Sequence, residues 1–241
     1  MTTRTPRAMV LAAGLGTRMR PLTLDRPKAL VEVAGRPLVD HMLDRLAEAG
    51  VTDAVVNLHA FADRLEAHLV QRAQPPRLTF SDERVRPLET GGGIKAARDK
   101  LGEDPILVAN IDSVWIETGA RAVPSLINGF DPDRMDALLL VTKTEEAMGF
   151  DGPGDFLMDA EGRLTFRRDA GAKTAPYAYI GVHMTDPRTI YRHAAEAFSL
   201  VPTIWGEMAA KGRLFGLSLE GEWMHVGDPG ARDAAERKLM S

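Results

Sequence analysis

Over its first 140 residues the chain alternates short apolar runs with helical patterns, and this alternation constrains its fold more than any other feature. The runs 8–11, 54–58, 78–80, 106–109 and 137–141 have the length and apolarity of buried strands. Residues 38–49 place Leu38, Met42, Leu43 and Leu46 at helical spacing, and Gly50 stops them. Residues 62–70 read as a second helix, and 92–101 as a third that opens at a glycine cluster. Strands joined through helices make right-handed crossovers, so the expected architecture is α/β: a Rossmann-like three-layer sandwich with a mostly parallel mixed sheet. Ligands of such folds sit beyond the carboxyl ends of the strands. Leu11, Asn57, Ser81 and Asn110 fall at those ends, so one crevice should collect them.

From Gly149 onward the signals change. Residues 156–158 and 164–166 flank a turn and read as a hairpin, 177–184 and 214–219 as strands, and 187–197, 202–210 and 229–239 as helices that each open at a proline. With no linker or repeat in 241 residues, a single domain over 1–241 is expected, with halves of about 1–140 and 141–241. The formal net charge of -4 argues against a general nucleic-acid binder. The chain has no cysteine, its opening from Thr2 is polar rather than signal-like, and no apolar run approaches a membrane span. These features lead to the expectation of a cytoplasmic protein without nucleic-acid or membrane partners, monomeric or a small homo-oligomer.

The densest chemistry follows the first strand, in Gly14-Leu15-Gly16-Thr17-Arg18-Met19-Arg20-Pro21-Leu22-Thr23 and then Pro27-Lys28. Two glycines let backbone N–H groups approach an anion closely, Arg18 offers a planar fork of donors, and Lys28 a compact charge. The combination suits a polyphosphate. A dinucleotide fingerprint fails because its third glycine would fall at Met19, and the P-loop pattern fails because no G-K-[ST] follows. A dehydrogenase would also want an acid at the end of the second strand, where Asn57 stands. The run matches G-x-G-T-R-x-x-P-L-T followed by P-K, and so resembles the sugar-1-phosphate nucleotidyltransferases. The resemblance extends over essentially the whole chain.

It implies attack of a sugar 1-phosphate on the α-phosphorus of a nucleoside triphosphate, with release of pyrophosphate. Gly14, Gly16, Thr17 and Arg18 would hold the triphosphate and Lys28 would lie near the α-phosphate. Arg18, Lys28 and Asp112 would then carry the catalysis. Asp112 would be the first ligand of a divalent ion, Mg²⁺ or alternatively Mn²⁺. In the family a W-x-D-[VI]-G-T element supplies the second, whereas this chain reads Trp223-Met224-His225-Val226-Gly227-Asp228. His225 at the aligned position and Asp228 three residues on are both candidates, Asp228 also reads as the cap of a helix opening at Pro229, and a third reading has Asp112 and the phosphates hold the ion unaided.

Leu88-Glu89-Thr90-Gly91-Gly92-Gly93-Ile94 looks most like the uridylyltransferases of N-acetylmuramate 1-phosphate, which act in peptidoglycan recycling. The resemblance places the nucleobase there, against Glu89, Gly91 and Gly92, and makes UTP the expected donor. Mannose and heptose 1-phosphate guanylyltransferases share much of the run, and a nucleotide-sugar sensor without turnover is a further alternative. The sugar would lie near Asn110, Gly154, Asp155 and Gly181, the last leaving room for a pyranose.

Overall fold

The fold is that of a computed structural model describing residues 5–241; the start of the polar opening, from Thr2, lies outside the described residues. In chain order the strands are β1 (Ala8–Leu11), β2 (Glu32–Val33), β3 (Arg36–Pro37), β4 (Asp53–Leu58), β5 (Arg77–Asp82), β6 (Ile106–Asn110), β7 (Ser113–Glu117), β8 (Ala137–Lys143), β9 (Ala147–Met148), β10 (Phe156–Met158), β11 (Leu164–Phe166), β12 (Tyr177–Thr185), β13 (Leu214–Ser218) and β14 (Gly221–His225). The helices are α1 (Leu38–Glu48), α2 (Ala62–Leu69), α3 (Glu89–Ala96), α4 (Arg98–Leu101), α5 (Ala122–Gly129), α6 (Arg188–Tyr191), α7 (Trp205–Ala210) and α8 (Pro229–Leu239).

β1 lies in the middle of a nine-stranded sheet ordered β11-β10-β12-β6-β1-β4-β5, with β8 and β13 continuing from the other edge of β12. β6, β1, β4 and β5 run parallel, whereas β12 runs antiparallel to both β6 and β8. β1 is apolar throughout because both of its faces are covered. Ala8 and Val10 join a core cluster with Leu43 and Leu46 of α1, Leu65 of α2 and Leu126 of α5. Met9 joins a second cluster with Ile94 of α3, Leu101 of α4, Ile190 of α6 and Trp205 of α7. This is the expected sandwich of helix, sheet and helix. Among the described residues, no helix is long and apolar enough to cross a membrane.

Three differences from the sequence-based expectation bear on function. A second sheet, β7-β14-β9, has no counterpart in the expected strands. Its β7–β14 register sets His225 opposite Ser113, the neighbour of Asp112, and Val226 N donates to Asp112 O at 2.9 Å. The helix at the glycine cluster begins earlier, at Glu89, and breaks after Ala96. The helix expected over 187–197 is confined to Arg188–Tyr191, and that over 202–210 starts only at Trp205 after a wide turn. The intervening chain bonds to α3 instead of to itself: Phe198 O accepts from Gly91 N and Gly92 N, and Lys95 Nζ donates to the carbonyls of His193 and Ala195.

Candidate active site

The glycine-rich loop leaves β1 into a cleft of about 480 Å³, lined by residues 11–19 together with Lys28, Asn57, Glu83, Glu89, Thr90, Asn110 and Asp112. Gly16 is left-handed at φ 62°, and a Cβ there would lie 3.1 Å from Lys28 Cβ and 3.2 Å from Thr23 Cγ2, so only glycine fits. Thr23 Oγ1 donates to Gly16 O at 2.8 Å and locks the turn. At Gly14 a Cβ would meet no atom within 4 Å, which leaves bare backbone facing open space. The short turn Thr17–Met19 buries Met19 and leaves Arg18 exposed. Among the described residues, the Arg18 guanidinium has no hydrogen-bond or carboxylate partner, in contrast to Arg45, Arg72 or Arg84. A cation left unpaired on a cleft wall is available to an anion from solution.

Across the cleft, Lys28 Nζ donates to Asp112 Oδ2 at 2.7 Å, and His225 Nε2 stands 3.7 Å from the same oxygen. Lys28 follows Pro27 into a short turn whose Ala29 is buried, so its backbone is anchored while its head reaches the cleft. Burial pushes the Asp112 carboxyl up, but the facing His225 ring and the Lys28 charge more than reverse this and hold it well below the usual carboxylate range. Asp112 is therefore ionised at any pH at which the protein works. The His225 ring stacks on Trp223 at 5.5 Å, and a Cβ on Gly227 would touch it at 2.9 Å. Its Nδ1 lies 3.3 Å from Gly149 O, which turns Nε2 towards Asp112.

Two cleft residues escaped the sequence reading as a pair. Asn57, at the end of β4, accepts from Ala12 N and Ala13 N at 2.7 and 3.2 Å through Oδ1, and donates to Glu83 Oε1 at 2.8 Å. Glu83 also accepts from Leu88 N at 3.1 Å. Both side chains are 3% exposed. They form a rigid bridge from the phosphate-loop start to the start of α3. A Cβ on Gly93 would press on Glu83 Oε1 at 2.8 Å, so the third glycine makes room for the bridge. The signal available in sequence was a polar residue at each of two neighbouring strand ends.

The other two glycines of that cluster, expected against the nucleobase, do not line the cleft, and that expectation is corrected. A Cβ on Gly91 would lie 2.3 Å from the Phe198 ring, and one on Gly92 2.3 Å from Glu196 O. Their smallness lets the chain at 196–198 pack directly on α3. Glu89 and Thr90 do line the cleft, and Glu89 is held at φ 63°, a conformation a non-glycine adopts only when its surroundings impose it.

The candidate sugar residues divide in the same way. Asn110 lines the cleft at the end of β6. Gly181 sits at φ 89° in the bulge of β12, where a Cβ would lie 2.8 Å from Ser113 Oγ; the room it leaves is filled by Ser113 and Asn110 rather than open to a pyranose. Gly154, at φ 82°, packs on Ala175 O, 2.0 Å from where a Cβ would be. Asp155 Oδ2 accepts from Tyr179 N at 2.9 Å; burial raises its pKa, and the Tyr179 bond and Arg167 oppose this. Both residues fasten the β10–β11 hairpin to β12. Asp228 is also corrected: its Oδ1 caps α8 by accepting from Ala231 N at 2.9 Å, and the exposed residue is not among those lining the cleft.

Among the described residues, no group of three or more His, Cys, Asp or Glu side chains could hold a metal by itself. The pair Asp112 Oδ2 and His225 Nε2 suits an ion whose remaining positions are filled from elsewhere, and phosphate oxygens in the cleft would fill them. One oxygen and one imidazole nitrogen favour Mn²⁺ over Mg²⁺, which prefers oxygen alone.

Residues 8–210 match the MobA-like NTP transferase domain. The chain is 55% identical over 235 residues to the N-acetylmuramate alpha-1-phosphate uridylyltransferase of Caulobacter vibrioides, covering 96% of each protein. It is 30% identical to mannose-1-phosphate guanyltransferase beta-B of Xenopus laevis, over 92% of this chain and 61% of that protein. The fold superposes on HddC from Yersinia pseudotuberculosis complexed with GMP-PN at a TM-score of 0.78, with 19% identity over 97% of this chain and 99% of that one. A UDP-glucose pyrophosphorylase from Acinetobacter baumanii also gives 0.78, at 16% identity over 98% and 93%. With its glycine-rich loop and the Lys28–Asp112 pair in one cleft, the chain belongs to the family of MobA-like NTP transferase domains, among the sugar-1-phosphate nucleotidyltransferases.

Proposed function

We propose that the protein joins N-acetylmuramate 1-phosphate to UTP, giving the UDP-sugar and pyrophosphate, as a cytoplasmic step of peptidoglycan recycling. The observation that carries the reading is the cleft of β1, where Arg18 is unpaired among the described residues and Lys28 lies 2.7 Å from Asp112, in a chain 55% identical to a uridylyltransferase of that sugar phosphate. The reaction brings two polyanions together. A sugar-phosphate oxygen forms a bond to the α-phosphorus, the bond to the β-phosphate bridging oxygen breaks, and pyrophosphate leaves with that electron pair. The nucleophile is already ionised at neutral pH, so no general base is required, and orientation plus charge neutralisation carry the catalysis.

In this reading, backbone N–H groups of residues 14–18 and the Arg18 fork bind the β- and γ-phosphates, while Lys28 follows the charge developing at the α-phosphoryl group. Asn57 and Glu83 keep the loop and the start of α3 in register, so triphosphate and base are held as one rigid ligand. Glu89 and Thr90 form the base edge, and Asn110 faces the sugar. Asp112 and His225 would hold Mg²⁺ or Mn²⁺, which when bound neutralises phosphate charge. The reaction calls for neither nucleic acid nor a membrane, and a monomer or small homo-oligomer suffices.

The test is pyrophosphate release with UTP, dTTP, GTP and CTP against the 1-phosphates of N-acetylmuramate, N-acetylglucosamine, glucose and mannose. Turnover restricted to UTP with N-acetylmuramate 1-phosphate is expected. The 30% identity to a mannose-1-phosphate guanyltransferase favours one competing reading, and turnover confined to GTP with mannose 1-phosphate would establish it instead. Binding of nucleotide without pyrophosphate release from any pair would leave a sensor.

A further inference from the structure

Two groups converge on a single oxygen at the centre of the cleft. Lys28 Nζ lies 2.7 Å from Asp112 Oδ2, and His225 Nε2 lies 3.7 Å from it. His225 Nδ1 lies 3.3 Å from Gly149 O, so the ring presents Nε2 to Oδ2. A carboxylate oxygen and an imidazole nitrogen placed side by side suit a cation. Ligand bonds of about 2.0–2.3 Å on one ion would bring the two donors somewhat closer than they stand here. The cation on this oxygen is the ammonium of Lys28, whose side chain is only 11% exposed. A divalent ion cannot take that oxygen while the ammonium holds it, and the two positive charges repel at this distance.

The lysine is also coupled to the phosphate loop. Its stem runs beneath Gly16, where even a single added carbon would come within 3.1 Å of Lys28 Cβ. Arg18, two residues along, lines the same cleft and has no partner among the described residues. A triphosphate settling on this loop brings negative oxygens to the side of Lys28 away from Asp112.

We propose that Lys28 stands in for the divalent ion in the free protein, and that the arriving triphosphate draws the ammonium onto its own oxygens and so opens the Asp112–His225 pair to the metal. Lys28 is thus a gate as well as a phosphate ligand. Ion and nucleotide bind with positive coupling, and the free protein has little affinity for the ion. The inference rests on the nucleotidyltransferase reading of the cleft, but it concerns the resting protein and is read without turnover.

The experiment is titration of the nucleotide-free protein with Mn²⁺, followed by loss of the free-ion electron paramagnetic resonance signal. Lys28→Met should bind one Mn²⁺ at least about tenfold more tightly than the wild type, a counter-intuitive gain from deleting a residue of the centre. Adding Asp112→Asn should abolish the gain, and adding His225→Ala should remove most of it. Lys28→Gln serves as the second variant, and circular dichroism with thermal melting shows which variants are folded. Folded Lys28→Met and Lys28→Gln proteins that bind Mn²⁺ no better than the wild type would overturn the proposal, as would a gain that survives Asp112→Asn. Failure of the substrate panel would leave this measurement intact, and failure here would leave the transfer reaction intact.

Discussion

The two halves of the molecule use motif residues in opposite ways. Around β1, motif groups keep capacity that the protein does not use up: Arg18 has no partner among the described residues, Gly14 presents bare backbone, and Lys28 shares its carboxylate with a facing imidazole. Beyond residue 140, motif residues are consumed by the protein. Gly154 and Gly181 accommodate neighbouring atoms, Asp155 holds Tyr179 N, and Asp228 caps α8. Unspent hydrogen-bonding and charge capacity, rather than motif membership, separates residues facing a ligand from residues that build its walls.

The comparison would break if substitutions in the two halves had similar effects on turnover. Arg18→Ala and Lys28→Ala should each lower kcat/KM for UTP by about 10²–10³-fold, as expected for donors aimed at developing charge, and Arg18→Ala should leave the melting temperature near the wild-type value. Near-normal rates in both variants would place the phosphates elsewhere. The buried bridge sharpens the contrast from within the first half. Glu83→Ala strands Asn57 Nδ2 and Leu88 N, and should cost about 1–3 kcal/mol of stability by urea denaturation together with a raised KM for UTP. A loss of stability with KM unchanged would make Glu83 purely structural.

The second half holds a pH-dependent element of its own. His183 is buried against Trp205, shares a hydrogen bond of 2.7 Å with the Tyr179 hydroxyl, and has no partner for Nε2 among the described residues. Burial alone lowers its pKa to about 3 from 6.5. The unfolded chain takes up this proton below pH 6.5 and the folded one does not, so the stability contribution is complete above that value and is lost as pH falls towards 3. Urea midpoints should therefore decline from about pH 6.5 to 4.5, with a slope of up to about 1.4 kcal/mol per pH unit, and His183→Asn should flatten the decline. An unchanged slope in the variant would assign it to other groups. The smallest effect is expected at Asp228→Ala: about 1 kcal/mol from the lost cap, with no change in metal requirement. A changed requirement would return Asp228 to the metal site.

The parallel core of the fold was legible because its signals are local. Ala8–Leu11 and Ile106–Asn110 are apolar runs of strand length, and α1 carries its own helical stripe and stop at Gly50. The small sheet was not legible. β7 and β14 are short, each is recognisable only through the other, and the pairing that sets His225 beside Asp112 joins residues about a hundred positions apart. The same holds for Gly91 and Gly92. Their sequence calls for close approach of something, but the Phe198 segment that approaches is remote in the chain. The phosphate loop was readable in detail because strand, glycines and cations are contiguous. The Asn57–Glu83 bridge was hidden because neither residue is unusual until β4 and β5 lie side by side.

The central claim is that the phosphates of the nucleotide are gathered at the open end of β1. A crystal structure with a UTP analogue whose α,β-bridge cannot be cleaved tests it most directly. The account predicts phosphate oxygens within hydrogen-bond distance of the backbone at residues 14–18 and of the Arg18 guanidinium, with Lys28 moved from Asp112 towards the α-phosphate. An analogue bound at another surface, with the loop empty and Lys28 still on Asp112, would contradict it.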